Sequence, residues 1–492
     1  MESNSGNKIL GNFPRREFLK KSLFAIGGAT LLPYDKIFGS KRIWDEKTQS
    51  FSNISTSANE KVRLASIGIG HRGGEILNDF YNTGLVDIVA LCDVDMGGEH
   101  TLENMNKFPN AARFKDFRKM FDKMADKIDA VSVGTPDFSH FPITMLALSL
   151  GIPVYVEKPM ARTFNEVELM MAAAKKYNVV TQMGNQGHSG ANYFQFKAWK
   201  EAGIIKDVTA ISAHMNNSRR WHSFDPRITS MPPKESLPEN MDWDVWLNTA
   251  QFHEYNKDYH HGQWRCWYDF GMGALGDWGA HILDTAHEFL DLGLPTEINP
   301  TFLEGHNSFF FPFSSTLEFK FPERNNMPAV DITWYDGLDN IPPLPAGYVM
   351  PERDPNIPPP SNNEPVKTKI PPGKIIYSKD LIFQGRSHST TLTLVPNENS
   401  KDIESKLPVV PESPSNHFEN FIRSVKGEEK TRSPFEIAGP LSQVFCLGVT
   451  AQRLSSKLEF DRETKQITNN KFANELLIGE PPRKGWEEFY KL

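Results

Sequence analysis

A chain of 492 residues is too long for one ordinary hydrophobic core, so we expect two domains and an N-terminal extension. The 39% hydrophobic and 23% charged content is typical of a soluble globular protein, and the net charge of -7 gives no reason to expect a nucleic-acid partner. The 3 cysteines, Cys92, Cys266 and Cys446, lie far apart without CxxC or Cys/His spacing, so neither a disulfide framework nor a metal site is predicted.

The N-terminal segment carries a basic motif ahead of an apolar run. Residues 14–21 read PRREFLKK and precede a mildly apolar stretch at 22–33. This order resembles a twin-arginine export signal and predicts an exported, periplasmic protein; a basic, disordered tail is the alternative. The apolar run is too short to cross a bilayer, so no membrane-spanning segment is predicted. We assign residues 1–60 to the signal and a polar linker.

Between residues 61 and 183, short Val/Ile-rich runs alternate with amphipathic stretches. This alternation is typical of parallel βαβ units and predicts an α/β domain with a parallel sheet. Strands are predicted at 62–68, 86–93, 130–133, 154–156 and 179–182. Helices are predicted at 74–83, 117–124, 140–150 and 166–177.

A glycine-rich turn follows the first predicted strand. Gly68, Gly70 and Gly73 form a GxGxxG pattern ahead of the first helix, and Asp93 stands 20 residues after Gly73, at the end of the second strand. In a dinucleotide-binding fingerprint these glycines permit the tight turn, the approach of the pyrophosphate and close packing of helix on strand. Asp93 would bind ribose hydroxyls and repel a 2′-phosphate, which favours NAD over NADP, although Arg72 offers a charge to NADP.

The second domain, residues 184–492, has a different character. Its predicted strands lie at 208–214, 315–321 and 329–334, and its predicted helices lie at 276–290, 417–425 and 440–454. Residues 340–374 are rich in proline, which excludes a helix or a central strand, so we interpret them as a long surface insertion.

A carboxylate and a lysine end one of the parallel strands. Glu157 and Lys158 follow the apolar run at 154–156, and Pro159 ends it. Open α/β sheets bind ligands at the carboxyl ends of their strands, so Lys158 is placed to touch a bound hydroxyl or the nicotinamide ribose. From spacing alone, a solvated strand end explains the same residues equally well.

A second polar group lies on the predicted helix at 276–290. Asp277 and His281 are four residues apart on one face, Asp284 continues that face, and several glycines lie just upstream. A histidine beside a carboxylate can act as general base on an alcohol. The same spacing would also suit a metal or an ordinary helical charge pair, and we assign no metal.

Taken together, these motifs resemble the glucose–fructose oxidoreductase / inositol dehydrogenase family, often called Gfo/Idh/MocA. The resemblance rests on the glycine fingerprint, Thr135-Pro136 with His140, Glu157-Lys158-Pro159, and the Gly-rich segment with Asp277 and His281. It covers most of the chain after residue 61, apart from the Pro-rich insertion.

The resemblance implies a Rossmann domain followed by an α/β domain with a large open, mainly antiparallel sheet, and a homo-oligomer, dimeric or tetrameric. It also implies hydride transfer between NAD(P) and a carbohydrate carbon, with Lys158 polarising the hydroxyl, Asp277 orienting it and His281 accepting the proton. Coenzyme contacts are expected from residues of the strand-end loops: Gly68, Gly70, His71, Arg72, Gly73, Asp93, Thr135, Pro136, His140, Glu157 and Lys158.

Hydroxyl-binding and stacking side chains in three segments suggest a wall for a small carbohydrate substrate. Polar groups that fix orientation beside indole faces are typical of concave ligand sites. A self-stabilised turn and core tryptophans are the alternatives. The candidates are Asn185, Gln186, His188, Arg220, Trp221, Trp264 and Arg265.

Three functions remain open from the sequence. The first is an exported NAD-dependent dehydrogenase of a sugar, glycoside or polyol. The second is a glycoside hydrolase or lyase that uses tightly bound NAD transiently, which would require a further acid/base residue, with His188, His222 and His261 as candidates. The third, a binding module with an inactive site, is disfavoured because Lys158, Asp277 and His281 are all present.

Overall fold

The computed structural model of the chain describes residues 60–216, 230–260, 262–350 and 370–491. It also gives the backbone of two short strands, β1 (Trp44–Asp45) and β2 (Ser50–Phe51), which pair antiparallel. The predicted export signal lies outside the described residues. Within the described part of the chain, no helix has both the length and the apolar composition needed to cross a membrane.

The N-terminal domain is a doubly wound parallel sheet, as the alternation of strands and helices predicts. Its strands are β3 (Val62–Ile67), β4 (Val86–Cys92), β5 (Ala112–Phe114), β6 (Ala130–Val133), β7 (Val154–Glu157) and β8 (Thr181–Gly184). Its helices are α1 (His71–Asn82), α2 (Glu99–Lys107), α3 (Phe117–Met124), α4 (His140–Ser149) and α5 (Phe164–Tyr177). The strand order β5-β4-β3-β6-β7-β8 places the reversal of winding between β3 and β6, where such sheets bind dinucleotides. The Rossmann prediction is confirmed.

In the part of the second domain that the structure describes, nine strands form a mostly antiparallel sheet, which confirms the predicted fold class. Its strands are β9 (Val208–Met215), β10 (Glu297–Glu304), β11 (Ser314–Phe321), β12 (Val330–Asp336), β13 (Gly373–Ser378), β14 (Ile382–Arg386), β15 (Thr393–Leu394), β16 (Leu458–Asp461) and β17 (Gln466–Ile467). Their order is β15-β14-β13-β9-β12-β11-β10-β16-β17, and among the strands of the described residues in this sheet only β9 and β12 pair in parallel.

Helices of the second domain pack against this sheet and against the first domain. They are α6 (Ala191–Glu201), α7 (Trp243–Leu247), α8 (Gly273–Ile282), α9 (Asp284–Phe289), α10 (Glu398–Glu404), α11 (His417–Val425), α12 (Phe435–Leu454) and α13 (Lys471–Ile478). Gly279 of α8 lies against the ring of Phe445 on α12, and Leu275 of α8 packs against Gly448 on the same helix. The two glycines let α12 hold α8 close to the N-terminal domain.

Three sequence predictions need correction. The helix predicted at 276–290 is two helices, because Leu283 (φ -99°, ψ -14°) separates α8 from α9, and Asp284 begins the second. The helix predicted from residue 440 begins at Phe435, since burial of Phe435 extends it upstream and Pro440 lies inside it. The Pro-rich insertion ends earlier than expected, because its last two residues already pair within β13, between β14 and β9.

Candidate active site

The glycine turn has the close backbone packing that the fingerprint requires. Gly68 has φ +77°, and a Cβ there would lie 2.8 Å from the carbonyl carbon of Gly134, at the end of β6. A Cβ on Gly73 would overlap the carbonyl oxygen of Gly68 and lie 2.9 Å from that of Gly134. The start of α1 is therefore pressed onto β3 and β6, with its first N–H groups at the switch point of the sheet.

Asp93 is fixed at the end of β4 by two backbone donors. One carboxylate oxygen accepts from Ile69 N at 2.9 Å, and the other accepts from Asp95 N at 3.0 Å. Each oxygen keeps a lone pair for a ribose hydroxyl. Arg72, the candidate for a 2′-phosphate, instead donates to Glu75 at 2.7 Å. Burial opposes the charge of Arg72, but the carboxylates of Glu157 and Glu75 raise its pKa above the ordinary value.

His71, the first residue of α1, lies beside two further histidines. It has φ +46°, and its ring stacks on that of His100 with the centroids 5.1 Å apart. The edge of His260 meets His100 at 5.9 Å. The ring of His100 lies directly over Gly70, where a Cβ would overlap it. The place of His100 could not be predicted from the sequence, since nothing in its spacing connects it to this turn.

The loop after β6 is tied to the turn after β7 by His140. One ring nitrogen of His140 lies 2.8 Å from the Thr135 carbonyl oxygen, and the other lies 2.8 Å from that of Pro159. Burial lowers the pKa of His140 to about 4, so the ring is neutral and donates to one of these carbonyls. The predicted role of Thr135, Pro136 and His140 as coenzyme contacts stays a prediction.

These features fit a bound dinucleotide. The Thr135 hydroxyl is buried and has no hydrogen-bond partner among the described residues, although buried polar groups are almost always satisfied. It lies in the loop packed against Gly68, so a coenzyme in the cleft would meet it. Gly68, Gly70 and Gly73 would hold the diphosphate, and Asp93 the ribose.

The end of β7 carries the two charged residues of the Glu-Lys-Pro motif. Glu157 is buried and accepts from Gln186 Nε2 at 2.6 Å, and Gln186 also donates to the Tyr155 hydroxyl at 2.7 Å. Lys158 Nζ donates to Asp277 Oδ1 at 2.7 Å, with side chains only 12% and 8% exposed. The strand end is therefore not simply solvated, because Lys158 reaches across to the second domain.

Glycines bring α8 close enough for this contact. A Cβ on Gly276 would overlap the side chain of Met272 and lie 3.5 Å from Pro159 Cγ. Asp137 Oδ2 accepts from the backbone N–H of Met272 at 3.1 Å, just before α8 begins. The start of α8 therefore rests on the turn that contains Lys158. Asp277 follows directly and reaches Lys158.

Arg265 adds a second cation to Asp277. Its Nε lies 3.9 Å from Asp277 Oδ1, and its guanidinium lies 4.1 Å from the ring centroid of Trp264. Trp264 is itself buried in an aromatic cluster with neighbouring tryptophans and Phe138. Both residues are predicted substrate contacts. Arg265 lies beside Asp277, whereas Trp264 is part of a buried aromatic cluster and packs against the Arg265 guanidinium.

His281 lies one turn after Asp277 and is only 6% exposed. Its ring stacks on that of His388, with the centroids 4.1 Å apart and the planes 15° apart. The backbone N–H of His388 also donates to the His281 carbonyl at 2.8 Å. His388 lies in the loop between β14 and β15, and no sequence pattern connects that loop to α8.

The loop after β8 packs into a buried ionic network. His188 lies between two carboxylates, with Nδ1 3.1 Å from Asp284 Oδ2 and Nε2 2.5 Å from Glu288 Oε2. Asn185 Nδ2 donates to the same Asp284 oxygen at 3.3 Å. Burial opposes the imidazolium, but the two carboxylates raise the pKa of His188 to about 9. A histidine that donates from both nitrogens is a poor candidate for the further base of a glycoside-cleaving reaction.

This network predicts how stability depends on pH. Because folding raises the pKa of His188 from an ordinary 6.5 to about 9, its stabilising contribution is complete below pH 6.5 and is lost as the pH rises to about 9. We expect the melting temperature of the wild type to fall more steeply over this range than that of His188→Gln. His214→Gln is the matched control, because burial lowers the pKa of His214 to about 4 and the His188 contribution remains. Equal slopes in the wild type and His188→Gln would contradict the assignment.

Some predicted residues lie outside the described part of the chain. Arg220 and Trp221, the candidate substrate contacts, belong to this group, as do His222 and His261, the other candidates for an additional base. Among the described residues, no group of three or more metal-binding side chains is found.

Two family models match the chain. Residues 62–185 match the Gfo/Idh/MocA oxidoreductase family with its NAD-binding Rossmann fold, and residues 203–300 match the C-terminal α/β domain of that family. Among solved structures, aldose-aldose oxidoreductase from Caulobacter crescentus, complexed with glycerol, has a TM-score of 0.52 at 15% identity, covering 82% of this chain and 100% of its own. The WlbA dehydrogenase from Bordetella pertussis, in complex with NADH and UDP-GlcNAcA, has a TM-score of 0.53 at 12% identity, covering 82% and 99%. At these identities the likeness shows the fold alone.

Curated relatives match over shorter stretches. An alpha-N-acetylgalactosaminidase of Tannerella forsythia is 31% identical over 159 residues, 31% of this chain and 34% of the relative. The D-glucoside 3-dehydrogenase of Escherichia coli (strain K12) is 32% identical over 160 residues, 32% of this chain and 44% of the relative. The chain thus spans only about a third to a half of the length of these relatives. The two family models therefore show a likeness to the Gfo/Idh/MocA family of NAD-binding oxidoreductases over residues 62–185 and 203–300.

Proposed function

We propose that this protein is an NAD-dependent oxidoreductase that acts on a CH–OH group of a sugar, glycoside or polyol. The observation that carries the proposal is the contact of Lys158 with Asp277, 2.7 Å long and largely buried, with His281 one turn further along α8. A lysine of the Rossmann domain would then act on one substrate hydroxyl together with a carboxylate and a histidine of α8. This is the set of groups that oxidation of an alcohol requires.

Each of the three side chains has a separate task. Lys158, already a donor to Asp277, donates to the substrate oxygen and polarises the hydroxyl. Asp277, held by Lys158 and Arg265, orients that hydroxyl, and His281 accepts its proton. The bound dinucleotide supplies the hydride acceptor. Low exposure of all three side chains excludes most water, which strengthens their interactions with the substrate.

We assign the coenzyme as NAD rather than NADP. Asp93 lies where the ribose 2′ position is expected, and a carboxylate there repels a phosphate. Arg72, the only cation suggested for that phosphate by the sequence, is engaged by Glu75.

Glycoside cleavage is the second candidate. Oxidation would acidify the neighbouring C–H and permit elimination of the glycosidic substituent. Water would then add across the resulting double bond, and return of the hydride to the carbonyl carbon would leave no net redox change. The match to an alpha-N-acetylgalactosaminidase favours it, and the match to a D-glucoside 3-dehydrogenase favours simple oxidation. The ionic environment of His188 weakens the case for that residue as the additional base.

The purified protein should retain a dinucleotide. After denaturation, mass spectrometry should detect it at the mass of NAD and not at that of NADP. Incubation with a panel of methyl and aryl glycosides should yield a ketosugar together with reduced coenzyme. Free sugar without reduced coenzyme would instead establish the cleavage reaction. A protein that neither retains nor reduces a dinucleotide would contradict both.

We further propose that the protein is exported by the twin-arginine route to a periplasm and functions as a homo-oligomer. The arginine pair ahead of the apolar run supports export. Because NAD is scarce outside the cytoplasm, such an enzyme would carry its coenzyme with it and regenerate it in place. The family resemblance supports the oligomer.

A further inference from the structure

The buried network beside α9 contains polar atoms that its own residues leave unsatisfied. We propose that Lys374, Asn185 and Asp284 form a subsite for a second hydroxyl group of the substrate, beside the carbon that is oxidised. The inference rests on the proposed function and deepens it by naming residues that would hold the hydroxyl next to the one oxidised.

Lys374 is the second residue of β13 and lies in the interior of the sheet. It pairs with Ala213 on β9 and Gly385 on β14, and it is only 1% exposed. Its Nζ has no hydrogen-bond acceptor among the described residues. Burial lowers the pKa of Lys374 to about 8, and the charge of Asp284 opposes that effect. A buried ammonium group with three unused donors is costly unless an acceptor arrives.

Unused acceptors lie beside Asp284 and the residue that follows it. Asn185 donates to Asp284 Oδ2 at 3.3 Å, while its own Oδ1 is buried and has no partner among the described residues. Asn192 shows the same pattern, since it donates to Thr285 Oγ1 at 3.1 Å and its Oδ1 lacks a partner within the described residues. Unused donors and acceptors around one carboxylate suit a group that both accepts and donates, and a hydroxyl does both.

The residues of the subsite are connected to those of the reacting centre by short stretches of chain and by one backbone hydrogen bond. Asp284 begins α9 three residues after His281, and Asn185 directly follows Gly184, which packs against Glu157 at the end of β7. The backbone just before Lys374 also accepts from the loop that carries His388, through the bond from Ser387 N to Pro372 O at 3.1 Å. A hydroxyl held here would therefore lie next to the one that Lys158 and His281 engage.

Glycerol provides a direct structural test, because it carries neighbouring hydroxyls and need not be oxidised. In crystals of the NAD-loaded protein soaked in glycerol, we expect a glycerol oxygen within hydrogen-bond distance of Lys374 Nζ and Asn185 Oδ1. Ordered water alone in that position would overturn the subsite, whatever the activity of the protein.

Kinetics supply the second test. Lys374→Met should lower kcat/KM for methyl β-D-glucoside by about 30-fold while the bound coenzyme is retained, since one buried charged hydrogen bond to the substrate is lost. The control is Lys379→Met, at the exposed turn of the same hairpin, which should change kcat/KM by less than about twofold. Equal kinetics for wild type and Lys374→Met would overturn the subsite. If no glycoside were oxidised but glycerol occupied the subsite, the proposed function would fail and the subsite would stand.

Discussion

Replacing Lys158 by alanine is expected to reduce the rate of substrate oxidation about 1000-fold, while the protein still retains its coenzyme. The loss has two physical sources. The substrate oxygen loses the cation that polarises it, and Asp277 loses a partner 2.7 Å away in a site where both side chains are largely buried. Single-turnover measurement of coenzyme reduction, beside mass spectrometry of the bound dinucleotide, separates chemistry from binding.

The Lys158→Ala variant could lose activity because it is less stable or because it lacks a catalytic group, and the two effects must be measured separately. Leaving Asp277 without Lys158 should cost about 3 kcal/mol of unfolding free energy, although Arg265 at 3.9 Å offsets part of it. The double variant Lys158→Met with Asp277→Asn removes both charges and should recover stability without recovering activity. Lys175→Ala, on the exposed side of α5, is the matched control and should behave as wild type. Full activity in Lys158→Ala would remove the catalytic assignment.

The elements that sequence predicted best are those whose signal is local. The strand at 130–133 and the helices at 117–124 and 417–425 have the bounds that periodicity indicates, because each carries its own apolar pattern and ends at polar or capping residues. The strand β13 escaped prediction because its first residues follow a proline-rich segment, and only pairing with β9 and β14 makes them a strand. Sheet pairing between distant segments is a tertiary effect that short windows do not contain.

The candidate site shows the same division. Lys158, Asp277 and His281 could be singled out because strand ends and helical spacing are local features, and the structure brings Lys158 and Asp277 into contact. His388 could not be found, since it reaches His281 only through the hairpin of β14 and β15. The proline pattern likewise predicts that Lys374 lies in a surface insertion. In the structure Lys374 is buried, and the charge of Asp284 acts on it.

Replacing Gly73 by alanine is expected to weaken coenzyme binding at least about 100-fold and to yield protein without bound dinucleotide. The new methyl group would overlap the carbonyl oxygen of Gly68 and lie 2.9 Å from that of Gly134. Both obstacles are backbone, so the start of α1 must move away from β3 and β6. That movement separates the helix N-terminus from the turn that would hold the diphosphate. Coenzyme content and the dissociation constant of added NAD are the measurements.

Gly427→Ala separates this effect from the general cost of adding a methyl group to glycine. Gly427 has φ +78°, and no atom lies within 4 Å of the point that its Cβ would occupy. Alanine there meets backbone strain of about 1 kcal/mol but no steric overlap. We therefore expect Gly427→Ala to melt earlier than wild type while it retains its full complement of coenzyme. If Gly73→Ala also retained its coenzyme, the diphosphate could not depend on the close contact of α1 with β3 and β6. The coenzyme would then have to bind elsewhere in the cleft, and Lys158 would lose its place beside the reacting carbon.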